Sequence, residues 1–197
     1  SMNYAYEQGR KKLQELSDWF KGNHAQRNEA TTRLTMVDKI FFDCLGWSKD
    51  DVILEDSWEN KYTDYTFLAP RKMLIVEAKK EGEYFELPVG GNKAQYSLSS
   101  LMRDYKILKQ AIEQVAQYCQ SRGTPYAVVC NGHQIVAFVA ARNDWINPFE
   151  GKAAVFHSLE FMVENFLSLW QALSKAGIEE KNLQRLLVGN SIADIPP

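Results

Sequence analysis

Glu77 and Lys79 stand two apart in "MLIVEAKKEG", residues 73–82, where an apolar run that reads as a buried strand ends on charges. Alternation along a strand puts both on one face, with Val76 and Ala78 on the other. Asp64 lies thirteen residues before Glu77, and the intervening Ala69-Pro70-Arg71-Lys72 has the composition of a turn. A hairpin folded there can lay Asp64 beside Glu77. Two carboxylates converging next to a lysine suit a hard divalent cation, Mg²⁺ or Mn²⁺, which takes oxygen ligands and keeps several waters. The chemistry such a site does is phosphodiester hydrolysis. The cation activates a water and neutralises charge building at phosphorus, while Lys79 positions or deprotonates that water.

The elements that must hold these residues follow from periodicity. A first helix is predicted over residues 4–21 and a second over about 25–45. In the second, Met36, Val37, Ile40, Phe41, Cys44 and Leu45 form an apolar stripe that Gly46 stops. "DDVILEDSW" reads as a short strand, and "YTDYTFLAPRKMLIVEAK" as two strands around the 69–72 turn. Residues 82–97 read as a surface loop. A long helix over 99–122 carries Leu101, Tyr105, Leu108, Ile112, Val115 and Cys119 at alternating steps of four and three, and Gly123 ends it. "YAVVCNGHQIVAFVA" is a hairpin turning on Asn131-Gly132, a pair suited to a type I′ turn. Two helices, about 159–175 and 179–187, close the chain. The order predicts an α/β sandwich, a central mixed sheet flanked by helices, in one domain. Its core spans about 25–140, with a C-terminal helical extension at about 155–190.

Two more sets of polar residues sit where chemistry could use them. Glu29 starts the second helix, and at 100° per residue Arg33, Met36 and Ile40 fall within about 40° of it, so it shares an edge with the apolar stripe. Gln114 and Tyr118, four apart on the long helix, occupy one face beside the Val115/Cys119 seam.

Other chemistries lack their residues. His24, His133 and His157 are scattered singly, and Cys44, Cys119 and Cys130 lack metal-ligand spacing, so the cysteines read as reduced, buried thiols of an intracellular, cytoplasmic protein. "PVGGNK" has the wrong spacing for a nucleotide-binding loop, and no G-x-S-x-G elbow occurs. No apolar run approaches the roughly 20 residues of a membrane span. Formal net charge is −2, so contact with a polyanion would have to be local rather than driven by a global field.

Asp64 followed by Glu77-Ala78-Lys79 resembles the PD-(D/E)xK nuclease superfamily, with Thr63 where the family's proline often stands. Gln114-x-x-x-Tyr118 downstream is similar to the marker shared by RecB-type nucleases and the N-terminal nuclease domains of type I restriction enzyme motor subunits. The likeness to the latter runs from about residue 29 to 138 and takes in "NEATTRLTMVDKIFFDCLGW" and "CNGHQIVAF". The resemblance implies a restriction-endonuclease-like fold and Mg²⁺ or Mn²⁺ held by Asp64, Glu77 and the backbone carbonyl of Ala78, with Glu29 in support. It implies that Lys79 serves the attacking water and that Gln114 and Tyr118 steady the nucleic acid, DNA in the first instance. Products would carry 5′-phosphate and 3′-hydroxyl ends. By the same likeness, such a domain opens a longer chain with an ATPase or specificity part and serves restriction or defence against foreign DNA. The alternative is a nuclease fold without catalysis, kept for nucleic-acid binding or scaffolding.

Overall fold

The structure, a computed structural model, describes residues 2–56 and 62–189. Among the described residues seven strands form one mixed sheet in the order β1-β2-β3-β5-β6-β7-β4. They are β1 (Val52–Asp56), β2 (Tyr62–Leu68), β3 (Lys72–Lys79), β4 (Gln95–Ser97), β5 (Tyr126–Cys130), β6 (Ile135–Val139) and β7 (Lys152–Phe156). Only β3 and β5, among the described residues, pair in parallel. Parallel neighbours need a long crossover, which α3 (Leu98–Asp104) and α4 (Lys106–Arg122) supply. The predicted α/β class with a mixed sheet is what the chain forms, and helices cover both sheet faces.

Strand alternation divides the core in two. Leu74, Val76 and Ala78 point with Tyr65 and Phe67 into a cluster shared with α1 (Met2–Gly22), α2 (Ala30–Asp38) and the C-terminal helices. Ile75 points with Ala127, Val129, Val136 and Phe138 into a second cluster against α3 and α4. Glu77 and Lys79 share the parity of Ile75, and so belong to the face that α4 covers.

Several elements depart from the sequence expectation for definable reasons. The second helix starts at Ala30, and from Lys39 to Cys44 it widens into a π-helical turn, with the Leu45 N–H donating to the Ile40 carbonyl at 2.9 Å. That extra residue per turn keeps Ile40, Phe41, Cys44 and Leu45 all buried. The predicted 99–122 helix is two helices, broken at Tyr105, whose backbone is extended (φ −131°, ψ 98°). The Asn131-Gly132 connection is four residues long, not a two-residue turn, with Asn131 Oδ1 accepting from the N–H groups of His133 and Gln134. Strand β4 falls within the stretch read as a loop and β7 within a stretch assigned to no element, because each is short and carries no alternating pattern of its own. The C-terminal pair of helices is four short ones: α5 (Leu159–Glu164), α6 (Phe166–Leu173), α7 (Lys175–Glu179) and α8 (Asn182–Leu187). Ser158 and Ser174 restart the chain at α5 and α7 by accepting backbone N–H groups of the new first turns. Ser57 and Trp58 of the predicted first strand lie outside the described residues. Among the described residues no helix is long and apolar enough to cross a membrane.

One contact sets how closely α1 approaches the body. A Cβ added at Gly9 would lie 2.0 Å from the Cys44 carbonyl oxygen, so the two backbones touch there. Gly9→Ala should therefore lower stability by roughly 2 kcal/mol despite the ~1 kcal/mol by which alanine is the better helix former. At Gly22 nothing lies within 4 Å of the added Cβ, so Gly22→Ala should be neutral or stabilising. Urea unfolding midpoints of the two variants check this contrast.

Candidate functional site

The β2/β3 hairpin brings Asp64 directly opposite Glu77 and Tyr62 directly opposite Lys79, with the register shift confined to Phe67/Leu68 near the turn. Directly opposed residues of an antiparallel pair share a face, so all four side chains point toward α4. Asp64 is 1% and Glu77 2% exposed. Asp64 Oδ1 and both Glu77 carboxylate oxygens have no hydrogen-bond partner among the described residues. Lys79 sits half-buried at the strand end, in no ion pair with a described residue, its Nζ 5.8 Å from the centre of the Tyr62 ring. The Ala78 side chain is turned to the opposite cluster, leaving only its backbone for a role at this face.

Helix α4 covers the pair with a polar file at steps of four. Gln114 Nε2 donates to the Tyr118 hydroxyl at 3.2 Å, and the Arg122 guanidinium lies over the Tyr118 ring at 4.8 Å. Arg122 then reaches Asp64 Oδ2 at 3.4 Å and Glu55 Oε2 at 3.0 Å. Glu55 is directly opposite Asp64 on β1, so three carboxylates form a row across three neighbouring strands: Glu55, Asp64, Glu77.

The structure brings together Asp64, Glu77 and Lys79, with Gln114 and Tyr118 on the helix above. It does not bring in Glu29. That residue precedes the first turn of α2 as its N-cap, in extended conformation and exposed, and its side chain caps nothing. Arg33 occupies the buried edge predicted for Glu29. It donates to the Asn131 carbonyl at 2.9 Å and to Glu86 Oε1 at 2.9 Å. Among the described residues no group of three His, Cys, Asp or Glu side chains converges tightly enough to hold a metal ion. Glu55 and Arg122 are the residues that sequence reasoning missed. Extending the Gln114/Tyr118 spacing by four more residues points to Arg122, and the pairing of β1 with β2 points to Glu55.

Electrostatics and access define what the pair can do. Burial pushes the Asp64 carboxyl up to about 6, against the pull of Arg122 and with Glu55 adding to the rise. Burial, and then Asp64 itself, push Glu77 well above the usual carboxylate range, again opposed by Arg122. Two acids this close and this dry do not both ionise without a counter-charge. Their donor atoms fit a hard divalent cation with water completing its shell, since three carboxylate oxygens stand ready and none is committed within the fold. The cleft beside Glu77 is narrow, with about 10 Å³ free between Tyr62, Lys79, Tyr84, Phe85, Ile107 and Ala111, room for one water. A phosphodiester needs those walls to part.

The raised acids give stability a definite pH dependence. Below about pH 4 both states are protonated; as pH rises through about 6, the unfolded chain has already released protons that native Asp64 still holds, and Glu77 extends the effect higher. Unfolding free energy should fall over that window, by roughly 3 kcal/mol for Asp64. Asp64→Asn and Glu77→Gln should each flatten the fall and raise the urea midpoint at pH 8 but not at pH 4; unfolding curves across pH check this. Compared with family models, with curated proteins and with solved structures, the chain matches none.

Proposed function

We propose that the chain is a metal-dependent nuclease of the PD-(D/E)xK type, with a restriction-endonuclease-like fold, hydrolysing phosphodiester bonds of DNA in restriction or defence. One observation carries the proposal: Asp64 and Glu77 meet in register inside the protein with three oxygens unpartnered, an arrangement that costs stability and that a bound cation would offset. Asp64, Glu77 and the Ala78 carbonyl would hold Mg²⁺ or Mn²⁺, which supplies positive charge for the phosphate as it reacts. Lys79, on the same strand face two residues from Glu77, would hold the attacking water by hydrogen bonding and take up or orient its proton. Gln114 and Tyr118, joined by their own hydrogen bond, would present a fixed polar edge to the nucleic-acid strand. Specificity or delivery would come from an ATPase or specificity part elsewhere, because a net charge of −2 gives little non-specific affinity for DNA.

A second reading draws on two specific observations. Arg122 already places a positive charge on Asp64, and the cleft has room for about one water. Both suit a nuclease fold retained as a nucleic-acid-binding or scaffolding module.

Incubation of plasmid, linear duplex and single-stranded DNA, and of RNA, with Mg²⁺ or Mn²⁺ separates the two. Activity should appear only with the cation and fall by about 10²-fold or more in Asp64→Ala, Glu77→Gln and Lys79→Ala. Cleavage that survives in Asp64→Ala and Lys79→Ala rejects the assigned site, whereas DNA binding with no cleavage under any condition supports the second reading.

A further inference from the structure

Arg122 spans two of the three carboxylates in the row, and it does so unequally. Its Nη2 is 3.0 Å from Glu55, whose side chain is 37% exposed, while its Nη1 is 3.4 Å from Asp64, whose side chain is 1% exposed. The shorter contact is thus to the wetter acid and the longer to the buried one. Glu77, at the far end of the row, makes no contact with the guanidinium and keeps both oxygens unpartnered. Arg122 lies over Tyr118, and Tyr118 is tied to Gln114, so the stem has a seat on α4 that depends on neither acid.

We propose that Glu55 and Arg122 form a counter-ion exchange for the buried pair. Arg122 neutralises Asp64 while no cation is bound, and Glu55 takes the guanidinium over when a divalent cation occupies Asp64 and Glu77. This inference rests on the cation-binding reading given above. The reasoning is one of charge and place. A dication between Asp64 and Glu77 repels a guanidinium touching the same carboxylate, and a displaced arginine with no partner would be half-desolvated and unpaired. Glu55, directly across the strand pair from Asp64 and open to water, accepts it with little movement while the ring of Tyr118 keeps it stacked. Glu55 and Arg122 are therefore positioning residues whose effects on cation binding have opposite signs. Removing Arg122 frees Asp64 for the cation. Removing Glu55 leaves the arginine with Asp64 alone and strengthens its competition.

Calorimetric titration of the whole chain with Mn²⁺ at pH 8 tests the exchange, with urea unfolding to confirm that each variant is folded. Arg122→Gln should bind Mn²⁺ about tenfold more tightly than wild type, Glu55→Gln about tenfold more weakly, and the double variant close to Arg122→Gln, because Glu55 acts through Arg122. Arg122→Lys, which keeps the charge but not the fork, should fall between wild type and Arg122→Gln. If both single variants weaken binding, or the double variant binds more weakly than Arg122→Gln, the exchange is refuted and Glu55 is at most a direct ligand. Binding that Asp64→Asn abolishes but that is indifferent to Glu55 and Arg122 leaves the cation reading standing and removes the exchange. No Mn²⁺ binding by wild type removes both.

Discussion

The constraint on which this site depends is the burial of two acidic groups opposite each other in an antiparallel strand pair. Asp64 and Glu77 are held there by backbone register, not by any bond between their side chains. Moving either to the other sheet face would require a one-residue slip that also turns Phe67 and Leu74 out of the core. The hydrophobic pattern of the hairpin thus enforces the acids' proximity, and the surrounding apolar residues of the second cluster deny them water. The pair is a point of stored electrostatic cost within the sheet.

Helix α4 is the element that answers this cost. It enters at the break after Tyr105, packs Leu108, Ile112, Val115 and Cys119 into the core, and ends at Gly123 in left-handed conformation. Between that apolar seam and solvent it carries Gln114, Tyr118 and Arg122 over the acids. One helix therefore closes the crossover between the parallel strands and supplies the only positive charge that reaches either acid among the described residues. A single arginine shared between Glu55 and Asp64 leaves Glu77 unanswered, and that imbalance distinguishes the site from a closed structural ion-pair network.

Much of this could be read from the chain before any coordinates. Pro70 with its neighbours marked a turn that can lay Asp64 beside Glu77, and alternation placed Glu77 and Lys79 on one face; the four-residue spacing of Gln114 and Tyr118 placed them on one side of a helix. What periodicity could not give was the start of α2. Whether Glu29 is inside the helix or one residue before it is decided by local turns over residues 23–29, and that single step moves its side chain from a buried edge to water. Glu55 was hidden for a different reason. Its role depends on the edge strand β1 pairing with β2, and β1 is only five residues long. Likewise β4 and β7 acquire their strand character from each other and from β6, a non-local effect that composition does not record.

The Asn131–Gln134 connection has a consequence for the cleft. Gln134 is fully buried, and its carboxamide accepts from the Leu87 N–H at 2.9 Å and donates to the Leu87 and His157 carbonyls at 2.7 and 2.9 Å, while Asn131 Nδ2 donates to the Phe85 carbonyl. A side chain here imitates the peptide group of a neighbouring strand, so residues 85–87 are bonded to the β5–β6 connection although they belong to no strand themselves. The wall bearing Phe85 is therefore held by side-chain hydrogen bonds to its backbone. On the opposing, helical bank stand the apolar Ile107 and Ala111, so the width of the aperture depends on how one helix is seated.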